Sequence, residues 1–115
     1  MARSHHPARE RVFVYTKGGP DPTRDIIHAE VHPSVTVIPD WAFQNHNNLQ
    51  EVELPEGITE IEQQAFYNCK SLITINLPST LQEIGYEAFG SCVKLEDIIL
   101  PMGLRKLGKY AFYRC

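Results

Sequence analysis

The chain lacks the sequence features that mark exported or membrane-spanning proteins. Residues 1–11 contain no run of seven or more apolar residues, so no signal peptide is recognisable there. No apolar stretch reaches the roughly 18 residues of a transmembrane helix, and no Asn-x-Ser/Thr acceptor for glycosylation occurs. These absences favour a cytoplasmic protein. A surface or secreted location is expected instead if the sequence is a piece of a longer exported protein.

Motifs for enzymatic chemistry are also missing. The sequence contains no G-x-S-x-G, G-x-x-x-x-G-K-[ST] or G-x-G-x-x-G pattern. Its carboxylates fall at positions expected to be exposed, where no cleft would separate the pKa values of an acid and a base. The sequence therefore predicts no catalytic residues, no cofactor and no enzyme.

A strong charge of one sign is absent as well. Eleven Lys and Arg residues stand against 14 Asp and Glu residues, for a formal net charge of -3. The basic residues form no dense run beside aromatic side chains, which argues against nucleic acid as a partner. With 43% hydrophobic and 22% charged residues, the composition is that of one folded globular unit.

A pattern with a period of 23 residues dominates what is present. Its most visible sign is an Ala-Phe pair, which recurs as Ala42-Phe43, Ala65-Phe66, Ala88-Phe89 and Ala111-Phe112. Leucines 49, 72 and 95 and cysteines 69, 92 and 115 keep the same spacing. A unit this short cannot enclose a core of its own, so a stack is predicted in which equivalent side chains form rows.

Each unit contains two short extended segments. In Leu49-x-x-Val52-x-Leu54-Pro55, apolar residues alternate along a strand that ends at proline, and Ile58-x-x-Ile61 forms a second extended piece on the opposite side. The Ala-Phe segment then turns the chain back. The pattern predicts a phenylalanine row in the interior of the stack.

These units resemble BspA-type leucine-rich repeats, whose text is L-x-x-I-x-L-P-x-x-L-x-x-I-G-x-x-A-F-x-x-C. Residues 72–92 carry every marked position, whereas Glu62 replaces the glycine one unit earlier. The resemblance implies a curved, right-handed solenoid of about four units, in which short parallel strands are joined by turns or short 3-10 segments. It also implies a role in adhesion or protein recognition and no catalytic residues.

The predicted organisation has three parts. Residues 1–10 form a mobile arm, and residues 11–24 form a cap whose strand is Val12 to Tyr15. Residues 25–115 form the solenoid, with units near 26–48, 49–71, 72–94 and 95–115. The first unit is degenerate, with His32 after its strand and His46 at the cysteine position.

Cysteines and histidines are the residues that suggest metal or redox chemistry. A 23-residue interval makes a linear row rather than the converging ligands of structural zinc, so Cys69, Cys92 and Cys115 are expected to be reduced hydrophobes. Solvated side chains without a metal are the expectation for the histidines, which are His5, His6, His28, His32 and His46. A metal- or redox-responsive protein using these residues remains an alternative.

The outward side chains of the main strand are the predicted protein-binding face. They are Glu30, Glu51, Glu53, Thr74, Asn76, Asp97 and Ile99, with His28 beside them. Solubility and edge protection are the simpler explanation of the acidic members, and a contact face for a basic or polar protein segment is the more specific one. The favoured function is a non-enzymatic protein-interaction module, and the alternative is an adhesin-like piece of a longer secreted array.

Charge also changes along the stack. Residues 49–71 carry five glutamates and one lysine, whereas residues 95–115 carry two acids and four basic side chains. This gradient suggests weak head-to-tail self-association, in addition to a protein partner of unknown identity.

Overall fold

The computed structural model describes residues 12–115, so the predicted arm 1–10 lies outside the described residues. Eight short strands form along this part of the chain. They are β1 (Val12–Tyr15), β2 (His28–Val31), β3 (Val37–Ile38), β4 (Glu51–Glu53), β5 (Glu60–Ile61), β6 (Thr74–Ile75), β7 (Glu83–Ile84) and β8 (Lys106–Leu107). All strand pairings among them are parallel. Within the described residues, no helix has the length and hydropathy of a membrane span.

The strands form two four-stranded sheets on different sides of the stack. Sheet A has the order β1-β2-β4-β6, and sheet B has the order β3-β5-β7-β8. Glu51 pairs with Thr74 in sheet A and Glu60 pairs with Glu83 in sheet B, so the register of both sheets is one repeat. The predicted parallel solenoid is confirmed. Turns connect the strands, and no 3-10 segment occurs in residues 12–115.

The cap strand β1 joins sheet A outside the repeat. Val12 pairs with His28, so β1 is offset from β2 by 16 residues rather than 23. Phe13 and Tyr15 pack against the buried cluster, and the Tyr15 ring lies 5.6 Å from that of Phe43. The cap therefore covers the apolar side of the first coil, which would otherwise face water.

A row of phenylalanine rings runs through the interior, as predicted. Ring centroids lie 5.2 Å apart for Phe43 and Phe66, 5.3 Å apart for Phe66 and Phe89, and 5.2 Å apart for Phe89 and Phe112, with planes within 2° of parallel. The first three rings are fully buried. Because one coil contributes one ring, the row exists only through stacking.

The turns that contain the Ala-Phe pairs form a third set of hydrogen bonds between coils. The amide of Phe66 donates to the carbonyl of Ala88 in the next coil at 2.8 Å, and the amide of Asn68 donates to the carbonyl of Gly90 at 2.8 Å. Two residues in each of these turns have a positive φ although they are not glycine, including Gln64 at 54° and Asn68 at 63°. The left-handed residues direct their amides along the stack, which offsets the usual cost of that conformation.

Glycine is required where adjacent turns approach most closely. A Cβ on Gly85 would lie 2.8 Å from the amide nitrogen of Gln63, whereas a Cβ on Gly103 would meet nothing nearer than 3.8 Å. The glycine of the repeat therefore permits backbone contact between coils.

The last coil is less buried than the others. Leu107 is 51% exposed, whereas Ile84, one repeat earlier, is 1% exposed. Leu100 is 43% exposed, whereas Leu54 is 5% exposed. Within the described chain, this coil packs against one neighbour instead of two, so half of each row contact is missing.

Candidate protein-binding face

Sheet A presents the strand-ladder face, which we define as the outward side chains of β2, β4 and β6. In β4, Val52 is buried, while Glu51 and Glu53 on either side are exposed. In β6, Ile75 is buried and Thr74 is exposed. The alternation follows from the strand period of two, so the acids of β4 project away from the core. A depression on this face is bounded by Glu51, Glu53, Thr74 and Asn76.

His28 occupies the edge of this face but is not solvated, contrary to the sequence prediction. Its side chain is 1% exposed, and its Nε2 donates a hydrogen bond of 3.1 Å to Oε2 of Glu53. Its Nδ1 lies 3.9 Å from Oε1 of Glu51. Strand pairing places Glu51 directly opposite His28, which brings the imidazole among the carboxylates. Glu30, on the same strand, is half-buried.

Asn76 is a less available contact than its exposure suggests. Its Nδ2 donates to the carbonyl of Leu54 at 2.8 Å, and its Oδ1 accepts from the amide of Leu54 at 2.9 Å. The side-chain amide thus continues the ladder where the backbone pairing of β4 and β6 has ended. Thr74 is the remaining exposed residue of β6.

Asp97 and Ile99 do not lie on a strand, so their predicted placement on the strand ladder is wrong. Their part in binding a partner stays a prediction. Residues 95–100 have no assigned secondary structure. Asp97 adopts a φ of 52°, which leaves the extended range that strand pairing requires. Ile99 is 80% exposed at the margin of a separate groove near Met102. Sheet A therefore ends at β6, while sheet B continues to β8.

Sheet B carries a second, larger groove with mixed charge. Its acidic and basic lining side chains are Asp40, Glu60, Glu62, Glu83, Arg105 and Lys106. Burial, a hydrogen bond with Glu83 and the negative charge of that neighbour together raise the pKa of Glu60. This surface differs from the strand-ladder face in having basic partners for its acids.

The cysteine row has a structural role that the spacing did not reveal. Cys69 and Cys92 are buried free thiols, and their Sγ atoms donate to the carbonyls of Phe43 and Phe66, each at 3.1 Å. Cys115 is exposed and repeats the bond to Phe89 at 3.0 Å. The thiols are therefore weak hydrogen-bond donors between coils as well as small hydrophobes.

Hydrogen bonding and burial act on the thiol pKa values. Interaction with the neighbouring Cys69 thiol, followed by burial, strongly raises the pKa of Cys92. Partial burial of its thiol, with a smaller contribution from Cys92, raises the pKa of Cys115 to about 11. These thiols are held in the protonated, weakly nucleophilic form at neutral pH.

The remaining described histidines lie away from the strand-ladder face. His46 is buried, and its ring faces the carbonyl of Gln44 at 3.1 Å and that of Pro22 at 3.4 Å. Its burial corrects the expectation of a solvated side chain, because position 46 is the inward position that cysteine fills in later coils. His32 is exposed and contacts Ser34. His5 and His6 lie outside the described residues.

Exposed aromatic residues on the turns were not singled out by the repeat pattern. Tyr86, Tyr110 and Tyr113 are each between 43% and 48% exposed, and their rings contact in succession at 6.1 and 5.2 Å. Lys109 lies over the Tyr110 ring and Arg114 over the Tyr113 ring. The signal in the sequence was a set of tyrosines at turn positions whose residue type varies between repeats. Only the stacking of the coils brings these tyrosines together.

The geometry defines a class: a solenoid built from 23-residue leucine-rich repeats. Residues 23–115 match the BspA type leucine rich repeat region in six copies. The chain belongs to this family, whose members are generally protein-interaction or adhesin-like modules and typically lack enzymatic activity.

Solved structures support the same assignment. A leucine-rich repeat protein from Bacteroides ovatus is 33% identical with a TM-score of 0.75, and 78% of this chain aligns with 23% of that chain. The T. pallidum leucine rich repeat protein is 38% identical with a TM-score of 0.77, over 78% of this chain and 42% of that chain. The pneumococcal vaccine antigen PcpA is 28% identical with a TM-score of 0.67, over 69% of this chain and 20% of that chain. The chain thus spans less than half of each of these proteins, and no curated protein matches it.

Proposed function

We propose that the chain is a non-enzymatic protein-interaction module that binds a basic protein segment at the strand-ladder face. The observation that carries this proposal is the pair of acids on β4. Glu51 and Glu53 are both half exposed, and they lie beside Glu30 of the adjacent strand. A partner with Lys or Arg side chains would meet these two exposed carboxylates at strand spacing, with the half-buried Glu30 beside them.

The ladder itself makes this face suited to recognition. Its backbone is held by pairing on both sides of β4, so the acidic side chains project from a rigid support. Such preorganisation lowers the ordering cost of binding. Thr74 extends the face with an exposed hydroxyl toward the later coils.

Charge reversal on the face is the direct test. In a pull-down with the full chain, the variant Glu51→Lys with Glu53→Lys should lose partners that the parent protein retains. For a captured partner, the same variant should weaken binding at low salt, and the difference should shrink as salt screens the charges. Circular dichroism spectra of both proteins establish that the variant is folded.

A matched control separates the face from net charge. The variant Glu62→Lys with Glu83→Lys changes charge by the same amount on the sheet B side. Glu83 lies between Glu60 and Lys106 in the register of sheet B. A lysine at position 83 removes the repulsion from Glu60 and introduces repulsion from Lys106, so the two changes offset each other. Partners should remain bound to this control. Retention by the face variant, or equal loss from both variants, would contradict the proposal.

The adhesin-like alternative uses the same fold in a longer array. It predicts binding to intact host cells or matrix proteins, which surface plasmon resonance with immobilised matrix proteins would detect.

Self-association of the chain is a further expectation from the charge gradient, and light scattering at low and high salt would detect it.

A further inference from the structure

Three side chains on adjacent strands of sheet A converge in the manner of a divalent cation site. They are His28 of β2 and Glu51 and Glu53 of β4, and one ligand atom from each lies within 4.8 Å of the others. We propose that they bind Zn²⁺ on the strand-ladder face. This proposal does not depend on whether the face also binds a protein.

The strand geometry supports this assignment. Parallel pairing sets Glu51 opposite His28, and the strand period places Glu53 on the same face two residues further on. Nε2 of His28 is 3.1 Å from Oε2 of Glu53. Two ligand atoms on a tetrahedral Zn²⁺ with bonds of about 2.0–2.2 Å are separated by roughly 3.3–3.5 Å, so this pair already has nearly the required spacing.

Glu51 needs the larger adjustment. Its Oε1 is 3.9 Å from Nδ1 of His28, and its side chain is 50% exposed. A half-exposed glutamate can change rotamer at little cost, whereas the buried imidazole is fixed. His28 thus acts as the fixed ligand, and Glu51 rotates to complete the set with Glu53.

The donor chemistry indicates zinc over the hard cations. An imidazole nitrogen with carboxylate oxygens suits Zn²⁺, whereas Ca²⁺ and Mg²⁺ prefer oxygen ligands alone. Two carboxylates and a neutral imidazole balance the charge of a divalent ion. The proton that His28 now donates to Glu53 leaves when the metal takes its place. The exposed sides of both glutamates leave room for water as a further ligand.

The constellation is confined to the junction of the first and second coils. One repeat later, Thr74 stands in place of Glu51 and Asn76 in place of Glu53. Among residues 12–115, His28 is the one histidine that groups with carboxylates at ligand spacing. Zinc at this junction would neutralise the most acidic part of the face and so weaken its attraction for a basic partner.

Calorimetric titration of the full, chelator-treated chain with Zn²⁺ tests the site. We expect one Zn²⁺ per chain and an affinity at least about 10- to 100-fold lower in His28→Gln, because replacing a residue that only supports a metal ligand already costs that much affinity. The double variant Glu51→Gln with Glu53→Gln should lose binding in the same way. Co²⁺ titration offers a second readout, because visible absorption bands should appear in the parent protein and not in these variants.

Two controls deal with other zinc ligands in the chain. His5→Ala with His6→Ala removes the imidazoles of residues 1–11, and Cys115→Ser removes the exposed thiol; both variants should keep the parent affinity. Circular dichroism verifies the fold of His28→Gln, and the double glutamine variant carries the test if that protein does not fold. Binding that survives in both ligand variants, binding that disappears in either control, or no binding by the parent would overturn the proposal.

The outcome is separable from that of the protein-binding proposal. His28→Gln removes the fixed zinc ligand but leaves both carboxylates in place. Partner capture measured in a chelator therefore reports on the acidic face alone, whereas the zinc titration reports on the metal site alone.

Discussion

Truncation of Phe89 to alanine tests the claim that the interior exists only through stacking. The Phe89 ring is fully buried and lies 5.3 Å from Phe66 and 5.2 Å from Phe112. Replacing a buried phenylalanine with alanine costs about 3–5 kcal/mol. Loss of two aromatic contacts, each worth about 0.5–1.5 kcal/mol beyond burial, places the expected value toward the upper end of that range.

Phe112 provides a matched comparison in the last coil. It occupies the same repeat position but is only partly buried, and among the described residues its one phenylalanine contact is Phe89. Phe112→Ala should therefore cost about half as much as Phe89→Ala. Both variants remove the same residue type at the same repeat position, so the expected order follows from the number of stacked neighbours.

Urea denaturation followed by far-UV circular dichroism measures both values. With a slope of about 2 kcal/mol per molar urea, a loss of 4 kcal/mol moves the midpoint by about 2 M. Total stability for a domain of this size is about 5–15 kcal/mol. A loss of about 4 kcal/mol therefore leaves a measurable unfolding transition, or a largely unfolded protein if the parent lies at the lower end of that range. Overlapping curves for parent and Phe89→Ala, or an equal loss for both variants, would refute the buried row.

Three further predictions concern the turns and the thiols. Gly85→Ala should lower the urea midpoint markedly because its Cβ would lie 2.8 Å from backbone, and Gly103→Ala, with 3.8 Å available, should cost less than about 1 kcal/mol; equal effects would be inconsistent with close turn stacking. Ser91 has a φ of 60°, so Ser91→Gly should be neutral or stabilising by up to about 1 kcal/mol and Ser91→Val destabilising, and the reverse order of thermal midpoints would exclude a left-handed turn. Because the pKa of Cys115 is raised from 9.0 to about 11, its alkylation should be slow at pH 8 and accelerate toward pH 11, while buried Cys92 reacts only on unfolding. A pH-independent alkylation rate would contradict the raised pKa of Cys115. Because the thiol of the unfolded chain ionises at lower pH than the folded one, the free energy of unfolding should also fall as pH rises from about 9 to about 11.

Much of the fold could be predicted because the repeat carries it many times. Each unit states again which side chains are apolar and where proline ends the strand, so the register of one repeat follows directly. Val52 and Ile75 are buried, and Phe66 and Phe89 stack, as that register requires. The pattern also indicated the opposite extended segments, which pair as sheet B.

Some of the site could not be predicted because it depends on distances between coils. The repeat treats His28 as one more outward residue, but its burial follows from the strands on either side and from its bond to Glu53. Asp97 matched an outward strand position in the sequence, yet its left-handed φ ends sheet A before it. The repeat pattern predicts what the coils have in common, but it does not predict the conformation of a coil that differs from the pattern.

The amino-acid sequence by itself determined the period, the apolar rows and the parallel stacking, because these need only the identity of residues spaced 23 apart. Tertiary structure alone decided that the cysteine thiols donate to phenylalanine carbonyls and that His28 meets Glu51 and Glu53. The physical reason is that such contacts join residues from different coils at separations of a few ångströms. Those separations are set by backbone pairing and turn geometry, which no single repeat contains.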